Sequence, residues 1–313
     1  MTIAWFTMNK ETGASGMGVR VAPPPFELKS SGTDIIYTKR LGEVASEYVE
    51  GETVTGGKMT SGGKAAIRWV MTSSNDMENV REAGDETLPR DITSLESDKY
   101  GLSPGDYGTI KFTVVPTNKT SPLSINFKTL ITCYSAEYDD DGYEETDEEL
   151  TLIDDVDVTK YLKGHILFFY ETEEEVSGET VTELNLVEDD SFTFSVLDDT
   201  EITLHWVWPE TLNNILVANI AGLDQTASQS VRTFMFNYPE FFLQRLDTPA
   251  NGEAPFADMS LSTVNETNIN TVSASIVASS RLYDKYSTWY NNADQTIGDE
   301  VAYITFELTA EMN

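Results

Sequence analysis

The sequence predicts a mainly β protein, a jelly-roll-like β-sandwich with helical insertions in its C-terminal third. Many short, β-prone segments are separated by turn residues such as Gly56-Gly57 and Gly62-Gly63. Ile110, Phe112 and Val114 occupy every second position of one segment, which is the period of a strand with one buried face. Short strands joined by turns are typical of sandwiches and jelly rolls.

The predicted elements divide the chain into two parts. Residues 1–25 form an N-terminal strand and a stiff spacer that ends in Pro23-Pro24-Pro25. Residues 26–313 form a single sandwich domain with a helical insert at about 209–296. Strands are expected at 67–71, 109–116, 122–138, 165–170, 181–187, 191–196, 201–208 and 301–309. Helices are expected at 157–163 and 271–296, with partly helical stretches at 209–221 and 231–245.

The charge balance excludes several classes of partner. The chain has 53 acidic against 20 basic residues and a formal net charge of −33. Nucleic acid and anionic membrane surfaces both require clustered Lys and Arg, so neither is expected as a partner. No stretch of about 18 apolar residues is present, so no membrane insertion is expected.

The residues that catalysis most often uses are scarce. The two histidines, His165 and His205, lack the spacing of a zinc helix, and neither a phosphate loop nor a nucleophile elbow is present. Both histidines are interpreted as strand residues with satisfied hydrogen bonds, and the lone Cys133 as a small buried strand residue. No catalytic residue and no cofactor are predicted, although a triad is defined in space and sequence alone does not exclude one.

One acidic segment offers a metal-site hypothesis. Residues 139–149 contain eight acids in eleven positions, and Asp139, Asp141 and Glu144 around Gly142 could wrap a Ca²⁺ ion. The spacing does not match an EF-hand loop, so the favoured interpretation is a solvated hairpin tip that binds Ca²⁺ weakly at most. Glu171 and residues 173–175 form a second acidic tip.

Four aromatic residues have two interpretations. They could form a platform on which a sugar stacks, or they could be core residues, which is the commoner use of such side chains. Trp206 and Trp208 are expected on one face of a strand, with His205 and Val207 on the other. The four residues are Trp206, Trp208, Trp289 and Tyr290.

The N-terminal hexamer (residues 3–8) is mostly apolar and β-prone. It either pairs within its own sheet or is donated to the sheet of another copy of the chain, since exposed strand edges invite such pairing. The predicted subunit contact consists of Ile3, Ala4, Trp5, Phe6, Thr7 and Met8.

Short motifs lie at both ends and in the middle of the chain. They are Ala4-Trp5-Phe6-Thr7-Met8-Asn9-Lys10, Ala14-Ser15-Gly16-Met17, Leu102-Ser103-Pro104-Gly105-Asp106 with Asn118, Trp206-Val207-Trp208-Pro209, Tyr290-Asn291-Asn292-Ala293-Asp294-Gln295-Thr296-Ile297-Gly298 and Phe306-Glu307-Leu308-Thr309-Ala310. With these motifs the chain resembles the secreted TasA/camelysin-like proteins of Gram-positive bacteria. The resemblance implies a jelly-roll-like sandwich, secretion with removal of a signal peptide, and biofilm-matrix fibres in which one subunit's N-terminal strand completes the next subunit's sheet. Some members are labelled metallopeptidases, but this chain shows no zinc motif.

Three hypotheses about function follow. The first is an extracellular structural subunit that polymerises with copies of itself by β-strand donation. The second is a monomeric cell-surface adhesin or glycan-binding module that uses aromatic loops. The third and least favoured is an enzyme. The position of the N-terminal hexamer distinguishes the first two.

Overall fold

The computed structural model describes residues 25–30, 64–70, 102–135, 151–176, 179–246, 264–265, 267–301 and 303–312. The strands within these ranges are β1 (Phe26–Ser30), β2 (Lys64–Val70), β3 (Tyr107–Pro116), β4 (Leu123–Ser135), β5 (Thr151–Leu152), β6 (Leu167–Val176), β7 (Glu179–Leu186), β8 (Ser191–Val196), β9 (Thr200–Val207) and β10 (Tyr303–Met312). The helices are α1 (Val156–His165), α2 (Leu212–Leu216), α3 (Gln225–Asn237), α4 (Ile269–Ala278) and α5 (Ser280–Glu300), with a 3₁₀ helix at Pro239–Phe241.

The strands form two antiparallel sheets, which confirms the prediction of a mainly β protein with added helices. The first sheet has the order β1-β3-β9-β6-β7. The second has the order β2-β10-β4-β5, and β8 also pairs with β4. Successive strands often belong to different sheets, so the chain crosses repeatedly from one sheet to the other.

The sandwich core lies between the two sheets and follows the alternation of the strands. Ile110, Phe112 and Val114 of β3 are buried there, as their spacing predicts. The second sheet supplies residues such as Phe127 and Phe306. Burial of an apolar side chain contributes about 1.5–3 kcal/mol, so this core is a principal stabilising element of the sandwich.

A second core lies on the other face of the first sheet, beneath α2–α5. Trp206 faces the sandwich core while Val207 faces this helical core, so the two residues lie on opposite faces of β9, as predicted. Helix α5 belongs to both cores because it carries Tyr290 into the helical core and Ile297 into the sandwich core. The molecule therefore has three layers, which are sheet, sheet and helices.

Two predicted helices have ends that differ from the observed ones. Helix α1 begins where the Asp155 carboxylate accepts a hydrogen bond from Asp157 N (2.7 Å), but it continues to His165. The prediction that His165 is a strand residue is therefore wrong, because the extended backbone starts only at Ile166. The helix expected at 271–296 is divided at Ser279, whose extended backbone and side-chain cap begin α5.

The helices that precede α4 also have bounds different from the expected ones. Within the stretch expected to be helical at 209–221, only α2 is an α-helix. Helix α3 starts at Gln225, ahead of the expected 231, because Asp224 accepts a hydrogen bond from Ala227 N (2.7 Å) and caps it. None of the helices in the described ranges is long and apolar enough to cross a bilayer.

Candidate functional site

A buried polar cluster, the His165 cluster, lies where α1 and α5 meet between the two cores. The side chain of His165 is fully buried, and its Nδ1 lies 2.6 Å from Oδ1 of Asp294. Its Nε2 lies 3.3 Å from the carbonyl oxygen of Phe242. Asp294 Oδ1 also accepts a hydrogen bond from Trp208 Nε1 at 2.8 Å. Four separate parts of the chain, which supply His165, Trp208, Phe242 and Asp294, therefore meet in this cluster.

The hydrogen-bond partners define the protonation state that satisfies the cluster. Both ring nitrogens of His165 face oxygen acceptors, so both bonds form only when both nitrogens carry protons. An imidazole with both nitrogens occupied in this way has no free lone pair with which to act as a general base.

Tyr290 closes the cluster on the side of the helical core. Its hydroxyl donates to the carbonyl oxygen of Pro209 at 2.7 Å, and its ring lies 4.5 Å from the imidazole of His165. Desolvation by burial, together with the charge of Asp294, raises the pKa of Tyr290 well above its ordinary value. The phenol therefore remains protonated and serves as a hydrogen-bond donor.

A glycine sets the position of His165. Gly164 packs so closely on the 3₁₀ segment that a Cβ there would collide with the carbonyl oxygen of Phe241. A side chain at residue 164 would therefore push the end of α1 away from the segment that carries Phe242. The close approach allows the carbonyl of Phe242 to reach the imidazole.

A second histidine–carboxylate pair lies in the first sheet. His205 Nε2 of β9 and Glu171 Oε1 of β6 are 2.5 Å apart, and both side chains are partly exposed. The ladder between β6 and β9 joins residues 167–170 of β6 to β9. From Glu171 onward β6 continues with β7 as a hairpin that carries the acidic residues expected at this tip. His205 therefore binds the carboxylate at the base of this hairpin.

The four candidate sugar-binding aromatics and the cysteine are all interior. Each of the four aromatic side chains is exposed by 7% or less, so these residues are core and present no platform to a sugar. Cys133 of β4 is fully buried, as predicted, and desolvation by burial raises the pKa of its thiol to about 11. The sulfur is therefore a neutral thiol near pH 7, which is a poor nucleophile.

The other predicted site residues lie outside the described residues. These are the N-terminal hexamer and the candidate calcium ligands Asp139, Asp141 and Glu144. Within the ranges that the structure describes, no group of three or more His, Cys, Asp or Glu side chains is arranged to hold a metal ion.

Asp294 is a residue of the cluster for which the sequence predicts no role. The one feature of the sequence that could have indicated it is its position four residues after Tyr290, which places both residues on the same face of α5. Its partners come from other elements, so no spacing in the sequence links them.

Comparisons with family models, with curated proteins and with solved structures found no match to this chain.

Proposed function

We propose that the protein is an extracellular structural subunit of surface or biofilm-matrix fibres, related to the TasA/camelysin-like proteins. In this proposal the N-terminal hexamer of one copy is added as a strand to a sheet of the next copy. The fold of the subunit is a jelly-roll-like sandwich, an assignment supported by the repeated crossing of the chain between the two sheets.

The position of β1 is the observation that carries this proposal. Among the described strands, β1 lies at one end of the first sheet and pairs with β3 from Phe26↔Pro116 to Ser30↔Phe112. The ladder reaches back to Pro25, whose carbonyl oxygen accepts from Thr117 N at 2.9 Å. The N-terminal segment therefore joins the fold at a sheet edge. Residues 9–25 can span at most about 55 Å when fully extended, which is enough to reach a neighbouring copy.

The opposite end of the same sheet supplies an acceptor. Strand β7 is the last described strand there, and an added strand would bind through main-chain hydrogen bonds. Because the donating and accepting ends differ, the contact is heterologous and propagates as a filament. The hairpin of β6 and β7 is rich in glutamate, and the chain carries a net charge of −33, so repulsion opposes the contact at neutral pH.

The side chains most suited to catalysis support a structural role. Hydrogen bonding occupies both ring nitrogens of His165, and the Cys133 thiol is buried with a raised pKa. We therefore propose that the subunit is not an enzyme and needs no cofactor for assembly.

The test compares polymerisation of the intact chain and of a variant lacking residues 1–12, at pH 5 and in high salt. Light scattering and electron microscopy should show fibres of the intact chain and monomers of the truncated one. At 1 M salt the Debye length is about 3 Å, so repulsion between charges farther apart than this is screened and assembly should accelerate. Identical fibres from both proteins would rule out strand donation by the hexamer.

Full-length variants separate the donated strand from a general effect of truncation. Trp5→Asn/Phe6→Asn should prevent assembly because it removes the two largest apolar side chains of the hexamer. The matched control Thr12→Asn/Ser15→Asn changes the Gly-rich turn and should assemble like the unmodified protein. Equal assembly of the two variants would contradict the proposal.

The alternative is a monomeric adhesin or glycan-binding module. The four aromatic residues considered for sugar binding are buried, so such a module would need other side chains to contact a ligand. An intact chain that stays monomeric at every pH and salt concentration would favour this alternative.

A further inference from the structure

A pocket of about 270 Å³ lies between the sandwich and the helical layer. It is bordered by α1, by the turn after β7, and by the end of α3 with the 3₁₀ helix. Its apolar floor includes Ile131, Ile166 and Phe168. This volume is just below the range of about 300–1,000 Å³ that is typical of small-molecule sites, so the pocket suits a compact ligand.

One wall of the pocket is aromatic. The ring centroid of Tyr238 lies 5.1 Å from that of Phe234 and 5.7 Å from that of Phe241. The planes of the Tyr238 and Phe241 rings meet at 15°, so these two rings are stacked. Tyr238 is 39% exposed and lines the pocket. Aromatic faces carry a negative quadrupole that attracts organic cations.

The opposite rim is acidic and only partly neutralised. Asp190 is paired with Lys163 Nζ at 2.5 Å, and its carbonyl oxygen accepts from Thr129 N at 2.8 Å. Glu188 and Asp189 line the same pocket, and no basic side chain in the described part of the chain pairs with either of them. Three carboxylates against one ammonium leave the rim negative.

We propose that this pocket binds a small organic cation with an apolar stem, such as an aromatic amine. Its ammonium group lies at Glu188 and Asp189, and its stem packs against Tyr238 and the apolar floor. An anion would meet two unpaired carboxylates, while a neutral apolar molecule would leave them without a counter-charge. The net charge of −33 adds a long-range attraction for cations.

The test measures binding of 2-phenylethylammonium chloride by isothermal titration at 50 mM NaCl. We expect a dissociation constant below about 1 mM, since this corresponds to only about 4 kcal/mol of binding free energy. The anion 3-phenylpropionate, which has the same ring and chain, should bind at least about tenfold more weakly. No detectable binding of the amine, or equal binding of both probes, would overturn the proposal.

Variants locate the binding in this pocket. Glu188→Gln/Asp189→Asn should weaken the amine at least about fivefold because it removes both unpaired charges. Tyr238→Ala should weaken it about two- to fivefold through the loss of the cation–π contact. The matched control Asp198→Asn/Glu210→Gln removes two exposed acids elsewhere and should leave binding within about twofold. An equal loss in the control would place the effect in the overall charge and overturn the site.

A peptide ligand tests whether the natural ligand is a small molecule. Acetyl-Trp-Arg-amide presents the same chemistry on a polypeptide and should bind no more tightly than the amine. If it binds more than about tenfold more tightly, the assignment to a small molecule is wrong, because contacts outside the pocket then dominate. Deleting residues 1–12 should leave amine binding unchanged, which separates this proposal from the proposed assembly.

Discussion

The two histidine–carboxylate pairs have nearly the same geometry in very different surroundings. His165 and Asp294 are 2.6 Å apart, and His205 and Glu171 are 2.5 Å apart. The first pair has side chains that are 0% and 14% exposed, whereas those of the second are 22% and 37% exposed. A distance alone therefore says little about what each pair contributes to stability.

The surroundings determine the energetic difference. In the interior, removing one partner leaves the other charge without water or counter-charge, which is strongly destabilising. Near the surface, water and salt screen the interaction, and such pairs contribute about 0–1 kcal/mol. The buried pair should therefore hold the helical layer on the sandwich, while the partly exposed pair should be nearly dispensable.

The largest expected effect is that of His165→Ala. It removes both hydrogen bonds of the ring and leaves the largely buried Asp294 carboxylate without its histidine partner, so the free energy of unfolding should fall by about 3–5 kcal/mol. Urea denaturation at pH 7 measures this change. The matched variant His205→Ala should lose less than about 1 kcal/mol. Equal losses would remove the distinction between the two pairs.

Asp294→Asn should have the next largest effect. The amide keeps an oxygen for Trp208 but loses the carboxylate charge that faces the ring of His165, so we expect the free energy of unfolding in urea to fall by about 2–3 kcal/mol. Glu171→Gln is the matched control, with an expected loss below about 1 kcal/mol. Double-mutant cycles should give a coupling above about 1 kcal/mol for the buried pair and below about 0.5 kcal/mol for the other. Similar coupling energies would contradict the comparison.

Tyr290→Phe should lower the free energy of unfolding by about 1–2 kcal/mol because the carbonyl oxygen of Pro209 loses its hydrogen-bond donor. The variant should also change the response to alkaline pH. Burial raises the folded pKa of Tyr290 above its ordinary value of 10.0, so the unfolded chain ionises first and stability falls as pH rises beyond about 10.

Cys133 must be removed for this measurement. Its thiol pKa rises from 9.0 to about 11 on folding, so it also makes stability fall with rising pH. Unfolding should therefore be followed from pH 8.5 to 11 in a Cys133→Ala background. If Tyr290→Phe has the same dependence on pH as its parent there, the phenol does not contribute.

The smallest effect is expected from salt at the exposed pair. At 50 mM NaCl, His205→Gln should lower the free energy of unfolding by less than about 1 kcal/mol. This loss should vanish at 0.5 M NaCl because salt screens the interaction between His205 and Glu171. The loss caused by His165→Gln should remain, since salt does not reach the interior. A salt-insensitive His205→Gln effect would show that this pair behaves as a buried one.

Much of the sandwich could be predicted because its signal is local. The alternation of Ile110, Phe112 and Val114 places β3, and the local pattern of residues 157–163 indicates a helix where α1 lies. The opposite faces of Trp206 and Val207 also follow from the period of two. Each of these predictions depends on residues within one element.

The His165 cluster could not be predicted because its members are distant in the sequence. His165 precedes an apolar, β-prone segment, so the local pattern indicates a strand, yet packing of Gly164 on the 3₁₀ segment keeps residue 165 at the end of a helix. The pocket was missed for the same reason, since its floor, wall and rim belong to different elements. The hexamer and the acidic segment from Asp139 stay predictions.

Strand β10 has a consequence for the timing of folding. It lies between β2 and β4, and it pairs Thr305 with Val70 and with Thr132. Every other described element precedes it in the chain, so the ribosome makes a central strand of the second sheet after its neighbours. Until residues 303–312 emerge, the apolar faces of both sheets lack Phe306 and Leu308 as packing partners. Such long-range pairing is slow, so the second sheet should be completed only after residues 303–312 have emerged, and the segments that precede them should remain accessible to chaperones until then.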